Sequence, residues 1–287
     1  MPCIKEPRWE TLSRRVLDFH VHVLRYDRIE AGVKNLLEKA YPGKVKELLD
    51  QYSTPEQLTA LLDEAGVERA VLLAEYSPGV TCVVTNEEVA EICRQAPRYL
   101  PFANINPHFL ADPVKELEHV VEDLGCHGVK LLPSYQNWHP LDSRMYRLYD
   151  AAQAMGIPMH FHIGSSVFPG TRMKYADPLW LDDIAVDFPR LTLIMAHSGR
   201  GFWYDRAFFL ARLHDNIYME ISGLPPKNLL KYFPEFERNA DKIIFGSDWP
   251  STGPIQETVQ GILALPISEQ SKEKILWKNG ARVLGLE

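Results

Sequence analysis

Five side chains able to bind a metal or carry a proton stand in short apolar runs spread over most of the chain. They are His20 and His22 in VLDFHVHV, His162 in IPMHFHIG, His197 in LTLIMAHSG and Asp248 in KIIFGSDWP. Each run has the make-up of a buried strand, and each polar residue falls near its C-terminal end. Because side chains alternate along a strand, Asp18, His20 and His22 are expected on one face, with Phe19, Val21 and Val23 on the other. The same count groups His160 with His162, His197 with Leu193 and Met195, and Asp248 with Ile244 and Gly246. His162 is preferred over His160 as a ligand because it lies nearer the strand end. An isolated strand-end histidine is ordinarily a hydrogen-bonded structural residue. Four histidines and an aspartate ending strands of one parallel series would leave several desolvated polar groups together unless a metal or mutual bonds satisfied them. Neutral imidazole is a common zinc ligand, so the pattern points to a metal centre.

The elements that would position these residues alternate. Eight apolar runs, at 16–23, 69–75, 99–107, 127–133, 157–164, 191–199, 216–223 and 242–250, are separated by stretches of helical periodicity. One of these stretches, TPEQLTALLDEAG, offers Thr54 as a cap and Pro55 at the first helical position. Strict alternation demands parallel strands joined by crossovers, and eight such units in about 250 residues is the content of a closed barrel. The expected fold is therefore α/β, a single (β/α)8 TIM-like barrel over residues 1–287 with extra N- and C-terminal helices. An open doubly wound sheet is the alternative, but no GxGxxG follows the first strand and no GxxxxGK occurs.

Composition narrows the partners. With 46% hydrophobic and 24% charged residues the chain is an ordinary globular protein with one substantial core. A formal net charge of -7 supplies no positive field for nucleic acid or an anionic membrane, which leaves a small molecule as the expected partner. No run approaches the ~20 apolar residues needed to span a bilayer, and MPCIKEPRWE lacks the pattern of a secretory signal. Cys3, Cys82, Cys93 and Cys126 form no CxxC pair, which fits reduced thiols in the cytoplasm. A homo-oligomer is left open.

At these residues the chain strongly resembles the amidohydrolase superfamily, in the TIM-barrel metal-dependent hydrolase branch related to aminocarboxymuconate-semialdehyde decarboxylase. The resemblance covers nearly the whole chain. DFHVH resembles the first-strand motif, IPMHFHIG the fifth, LIMAHSGR the sixth, IIFGSDWP the eighth and KILWKNGARVLGL the closing helix. It implies one Zn2+ held by His20, His22, His162 and Asp248. It makes His197 either a ligand of a second metal or a residue that orients the metal-bound water. Lys130, in GVKLLP, falls where binuclear members carry a carboxylated lysine bridging two metals, whereas related decarboxylases often lack that lysine. A charged, unpaired lysine is costly to bury, so Lys130 is expected to be carboxylated, deprotonated, paired with an acid or in contact with substrate. One metal or two remain open.

The main reading is hydrolysis of a small, carboxylate-bearing substrate, in which the metal lowers the pKa of a bound water toward 7 and Asp248 serves as general acid and base, with His197 as its catalytic partner. The alternative is non-oxidative decarboxylation on the same site, and a third reading is an idle barrel that only binds. Lys130 tilts the balance toward hydrolysis. No GxSxG elbow supports a serine triad. Loops after the strands should form the pocket: Tyr135, Trp138 and His139 after the fourth, Arg172 and Lys174 after the fifth, Arg200 and Trp203 after the sixth. Arg200, Lys130, Trp138 and His139 are the expected substrate contacts, while Arg172 and Lys174 are equally well solvated charges. Asp18 either supports a ligand histidine or fixes the barrel end, and His160 either backs a ligand or packs inside. His108, His119, His127 and His214 are expected to be structural or on the surface.

Overall fold

The computed structural model describes residues 15–286. Eight parallel strands form one sheet in chain order: β1 (Leu17–His22), β2 (Arg69–Leu73), β3 (Tyr99–Asn104), β4 (Gly128–Leu131), β5 (Met159–Gly164), β6 (Leu193–Arg200), β7 (Ile217–Glu220) and β8 (Ile243–Ile244). The sheet curls until its first and last strands meet. Phe19 N donates to Phe245 O at 3.0 Å, Asp248 N to His20 O at 3.0 Å and His22 N to Trp249 O at 2.9 Å. The eight runs read from the sequence are these strands, trimmed at their ends. The eighth shortens most, because the amides of Phe245 and Ser247 turn to Ile275 O and the Asp18 carboxylate before the chain pairs again with β1 at Asp248 and Trp249.

Helices connect consecutive strands and cover the barrel, and their starts are chemically marked. Thr54 accepts from Gln57 N ahead of Pro55, and Thr85 with Glu88 forms a reciprocal capping box. The helix Ser143–Met155 ends on Gly156 at φ 71°, a left-handed turn that glycine adopts without a Cβ clash. None of the described helices is long and apolar enough to cross a membrane. The expected extra C-terminal helices are present as Ile255–Leu263, Glu269–Glu273 and Asn279–Val283. An extra N-terminal helix ahead of β1 would fall largely outside the described residues, as does Cys3. One element has no counterpart in the sequence reading, an antiparallel hairpin of Glu75–Tyr76 with Val83–Val84 directly after β2.

Two apolar layers hold this arrangement. Leu17, Phe19, Val71, Leu73, Leu100, Phe102, Ile194 and Ile244 fill the barrel interior, and Trp277 with Ala281 of the C-terminal helices close its lower end. Residues of opposite parity, such as Val129, Phe161, Met195 and Met219, pack outward against the helices. Inside, Phe102 lies so close to β4 that a Cβ on Gly128 would meet its ring at 2.3 Å. Gly128→Ala should therefore destabilise the protein by about 1–3 kcal/mol through overpacking. Adding Phe102→Leu should recover part of that loss, and strict additivity of the two changes in thermal denaturation would contradict the contact.

Candidate metal centre

The C-terminal ends of the strands surround a cavity of about 360 Å³, a size suited to a small molecule. His20, His22, His162, His197, Asp248, Lys130 and Arg200 all line it, so residues as far apart as 20 and 248 meet in one space. Tyr135, Glu75, Thr81 and Cys82 add polar groups, and Leu24, Val33, Leu132 and Phe168 supply apolar wall.

Simple alternation delivers only some of these side chains. On β5, His160 and His162 face inward while Met159, Phe161 and Ile163 pack outside, as the count predicts. On β1 the count fails. Leu17 and Phe19 both belong to the interior, Val21 and Val23 to the outer layer, and the pairing register with β2 shifts between Asp18 and Val21. This bulge turns His20 and His22 into the mouth after Phe19 has already pointed inward, so Phe19 does not lie opposite the histidines. Asp18 does not line the cavity. Its Oδ1 accepts from Ser247 N at 2.8 Å and His20 N at 3.1 Å, which fixes β1 against the segment after β8, and burial raises its pKa to about 7. On β6, Leu193 and Met195 pack outside, and His197 reaches the cavity through a left-handed backbone, φ 64°.

The donor atoms converge tightly. His20 Nε2 and His22 Nε2 are 3.2 Å apart, and Asp248 Oδ1 lies 3.6 Å from the first and 3.3 Å from the second. These three residues form one group with metal-binding spacing; His162 lines the same cavity without joining it and packs against the His197 ring at 4.7 Å. His162 Nε2 and Lys130 Nζ are buried with no hydrogen-bond partner among the described residues. Burial holds the pKa of His20, His162 and His197 well below the ordinary value, with the charges of Lys130 and Arg200 adding to it. These imidazoles are thus neutral, the form that ligates metal. Burial works to raise the pKa of Asp248, yet its bond to His22 and the charge of Arg200 keep it low and ionised. Neutral nitrogens, one carboxylate and an orphaned ligand atom fit a divalent cation.

The sequence reading missed Glu220. This fully buried carboxylate accepts from His20 Nδ1 at 2.9 Å, His160 Nε2 at 3.2 Å, Ser222 Oγ at 2.8 Å and Ser222 N at 2.5 Å. His20, His160 and Glu220 also satisfy a metal-binding spacing, but their contacts have hydrogen-bond lengths and neither His160 nor Glu220 lines the cavity. The cluster is a brace. By accepting the hydrogen bond of His20 Nδ1–H, Glu220 leaves Nε2 as a free lone pair, and His197 Nδ1 is tied in the same way to Ser222 O at 2.9 Å. Strand alternation would have found it, since Tyr218, Glu220 and Ser222 share one face of NIYMEISG.

Other expected contacts fall elsewhere. The chain after β4 turns through Asn137 at φ 58°, which carries Trp138 and His139 away from the cavity. Trp138 is buried and donates to Gln136 Oε1 at 3.0 Å, while His139 packs between Tyr175 and Trp180 and accepts from Leu141 N at 3.0 Å. Of the three residues expected after β4, Tyr135 lines the cavity, with its ring against His162 at 4.4 Å. Arg172, Lys174 and Trp203 do not line the cavity, and the Lys174 ammonium lies over the Tyr175 ring.

Two outcomes follow from these contacts. Glu220→Gln should weaken divalent-metal binding by about 10- to 100-fold with the barrel intact, measured by competition against a chromophoric chelator. Unaltered affinity would remove Glu220 from the support of His20. Burial lowers the pKa of Lys130 from 10.5 to about 8, against the pull of Glu220, Asp248 and Glu75. Keeping it charged costs the metal-free protein up to about 3 kcal/mol at neutral pH. That penalty is full below the folded pKa of about 8 and vanishes above the unfolded value of 10.5. Lys130→Met should therefore raise the melting temperature of metal-free protein at pH 7, with a gain that shrinks as the pH climbs; a lower melting temperature at pH 7 would contradict this.

Comparison with known proteins adds the family. Gamma-resorcylate decarboxylase of Polaromonas sp. is 22% identical, over 87% of this chain and 92% of its own length. Among solved structures, an uncharacterised TIM-barrel protein of Bordetella bronchiseptica superposes with a TM-score of 0.78 at 24% identity, covering 95% of this chain and 99% of that one. 5-Carboxyvanillate decarboxylase of Novosphingobium aromaticivorans, solved with manganese and 4-hydroxy-3-methoxy-5-nitrobenzoic acid, gives 0.67 at 15% identity, covering 95% and 96%. Residues 17–286 match the family described as Amidohydrolase, and the chain belongs to that family.

Proposed function

We propose that this chain is a metal-dependent, non-oxidative decarboxylase of a small ring carboxylate. The observation that carries the reading is the split environment of Asp248: Oδ1 faces His20 and His22 Nε2, while Oδ2 stands 3.9 Å from Arg200 Nη1 and 4.0 Å from His197 Nδ1. One oxygen is engaged with the donor group, and the other is free to hold and move a proton beside a guanidinium. The decarboxylases among the similar proteins support this over hydrolysis.

His20, His22, His162 and Asp248 would hold the cation, which supplies a fixed positive charge that binds an anionic substrate and draws electron density from it. Imidazole and carboxylate donors suit zinc and manganese alike, so zinc, the expectation from resemblance, is one of two good fits. Arg200 binds the substrate carboxylate; its Nε and Nη2 donate to Ser165 O at 3.2 and 3.0 Å, which fixes the guanidinium plane. The apolar wall of Leu24, Leu132 and Phe168 keeps water from the ring. Asp248, ionised in the free site, takes up one proton from solvent as the substrate binds and, with His197 beside it, delivers that proton to the ring carbon as the bond to the carboxylate breaks. Carbon dioxide leaves, the bonding pair stays on carbon, and no oxidant is consumed. Free, buried Cys82, Cys93 and Cys126 support a reducing, cytoplasmic setting.

Hydrolysis is the second reading, and Lys130 favours it. Its Nζ is buried in the cavity without a hydrogen-bond partner among the described residues, at the position where binuclear relatives carry a carboxylated lysine. The two separate cleanly by product. Metal-loaded protein given 2,6-dihydroxybenzoate and related ring acids should release carbon dioxide without forming a new acid or amine, and Asp248→Asn should cut turnover by about 100-fold or more while preserving the fold. Carboxylate-retaining products would favour hydrolysis, and near-normal turnover in the variant would remove Asp248 from the chemistry.

A further inference from the structure

A second cavity, of about 210 Å³, lies on the flank of the barrel and shares no lining residue with the one at the mouth. Three aromatic side chains line it: Tyr41, Tyr52 and the buried Trp249. Tyr52 and Trp249 meet edge to face, with ring centroids 5.6 Å apart and planes at 84°. Aromatic faces are electron-rich, so a pocket walled by several of them attracts a cation once water is excluded. An apolar cavity of about 150 Å³ already takes up a benzene-sized molecule, so this one has room for one small ligand.

The backbone around it adds negative potential. Two ten-residue helices, Ala31–Ala40 and Pro55–Glu64, end at this cavity with Tyr41 and Ala65 as their C-caps, and the shorter Val45–Gln51 ends there at Tyr52. The carbonyl ends of helices carry partial negative charge and favour cations. Glu64 stands at the exposed rim, and no Lys, Arg or His lines the cavity among the described residues. The helix Ile255–Leu263 starts there with the opposite polarity, but Glu257 in its first turn offsets it.

One polar atom remains unanswered. The Tyr41 hydroxyl is buried without a hydrogen-bond partner among the described residues. Burial, with Glu257 and Tyr52 nearby, pushes its pKa up to about 12, so it stays protonated and able to donate. A ligand oxygen that accepts from it would remove the cost of leaving it unpaired. We propose that this cavity is an accessory binding site for a small alkylated ammonium, its cation against Tyr52 and Trp249 and a neutral oxygen accepting from Tyr41. The two cavities then divide by charge, because Arg200 and Lys130 line the one at the mouth. They also touch. Trp249 follows Asp248, and its backbone bonds to Ser247 Oγ at 3.1 Å and His22 N at 2.9 Å, so the wall of the accessory site is tied to the metal centre.

Calorimetric titration of metal-loaded protein tests this with three probes: choline, its uncharged isostere 3,3-dimethylbutan-1-ol, and tetramethylammonium, which has no oxygen. Wild type should bind choline about fivefold or more tighter than the isosteric alcohol. Tyr41→Phe should weaken choline by about threefold or more and leave tetramethylammonium unchanged, since it removes the hydroxyl and keeps the ring. Tyr52→Leu should weaken both ammonium ions and bring choline to within about twofold of the alcohol. A wild type that binds none of the probes, or binds choline and the alcohol equally, overturns the proposal. So does a Tyr41→Phe protein that weakens choline and tetramethylammonium alike, because the ring then acts only by packing. A Tyr52→Leu protein with wild-type melting temperature and an intact preference places the binding elsewhere and also overturns it. If Tyr52→Leu does not fold, the wild-type comparison and Tyr41→Phe decide the matter alone. No step of the test uses turnover, so its result is independent of the decarboxylase reading.

Discussion

Glu220 brings a fully buried carboxylate into the barrel interior, and the mouth of the barrel is organised around satisfying it. Its hydrogen bonds reach His20 on β1, His160 on β5 and Ser222 just beyond β7, so three separate parts of the closed sheet are referenced to one group. The neighbouring backbone gives way to it. A Cβ on Gly246 would meet Glu220 Oε1 at 2.2 Å and His20 Cβ at 2.8 Å, so the segment after β8 approaches only because that residue is glycine. With the Nδ1 side of His20 occupied, its Nε2 is committed to the cavity, and the positions of His22 and Asp248 are set against it.

This brace also explains why the mouth tolerates so many ionisable groups in a protein of net charge -7. Burial alone would leave Lys130 and Arg200 facing desolvated imidazoles with nothing to offset them. Glu220 and Asp248 supply the compensating charge, and both hold up the pKa of Lys130 against its burial. The imidazoles respond by staying neutral. A mouth with neutral nitrogens, the cationic side chains of Lys130 and Arg200 and an ionised Asp248 presents lone pairs and positive charge together, the combination that an anionic ligand beside a metal requires.

Which parts of this were legible in the sequence follows from what each part depends on. The strand order and the presence of His20, His22, His162, His197 and Asp248 at one end of the barrel depend on local composition and on the position of each residue in its run, and both can be read. Facing is a different matter. Period-two counting gave His162 correctly on β5 but placed Phe19 and His197 with the wrong neighbours, because a bulge on β1 and left-handed residues on β6 shift the parity. Loop position alone puts Trp138 and His139 in the pocket and does not reveal the turn at Asn137 that carries them out of it. Glu220 obeys the simple count, but it sits in the middle of the run 216–223 and ends a strand only because β7 stops there.

The backbone itself carries the last step. His197, Ser198 and Asp248 adopt left-handed φ values of 64°, 44° and 63°, conformations that cost a non-glycine residue about 1–3 kcal/mol each and persist only where surrounding bonds impose them. Those bonds are present: His197 Nδ1 to Ser222 O, Ser198 Oγ to Glu220 O, and Asp248 N to His20 O. Space is cleared as well, since a Cβ on Gly223 would meet Arg200 Nη1 at 2.5 Å, Asp248 Oδ2 at 2.8 Å and His197 Nδ1 at 3.1 Å. Relaxed strands would leave His197 on the wrong face and Asp248 turned from the imidazoles. The strain is thus the cost of presenting an imidazole and a carboxylate into the same cavity from β6 and from the chain beyond β8, and its source is the set of contacts centred on Glu220.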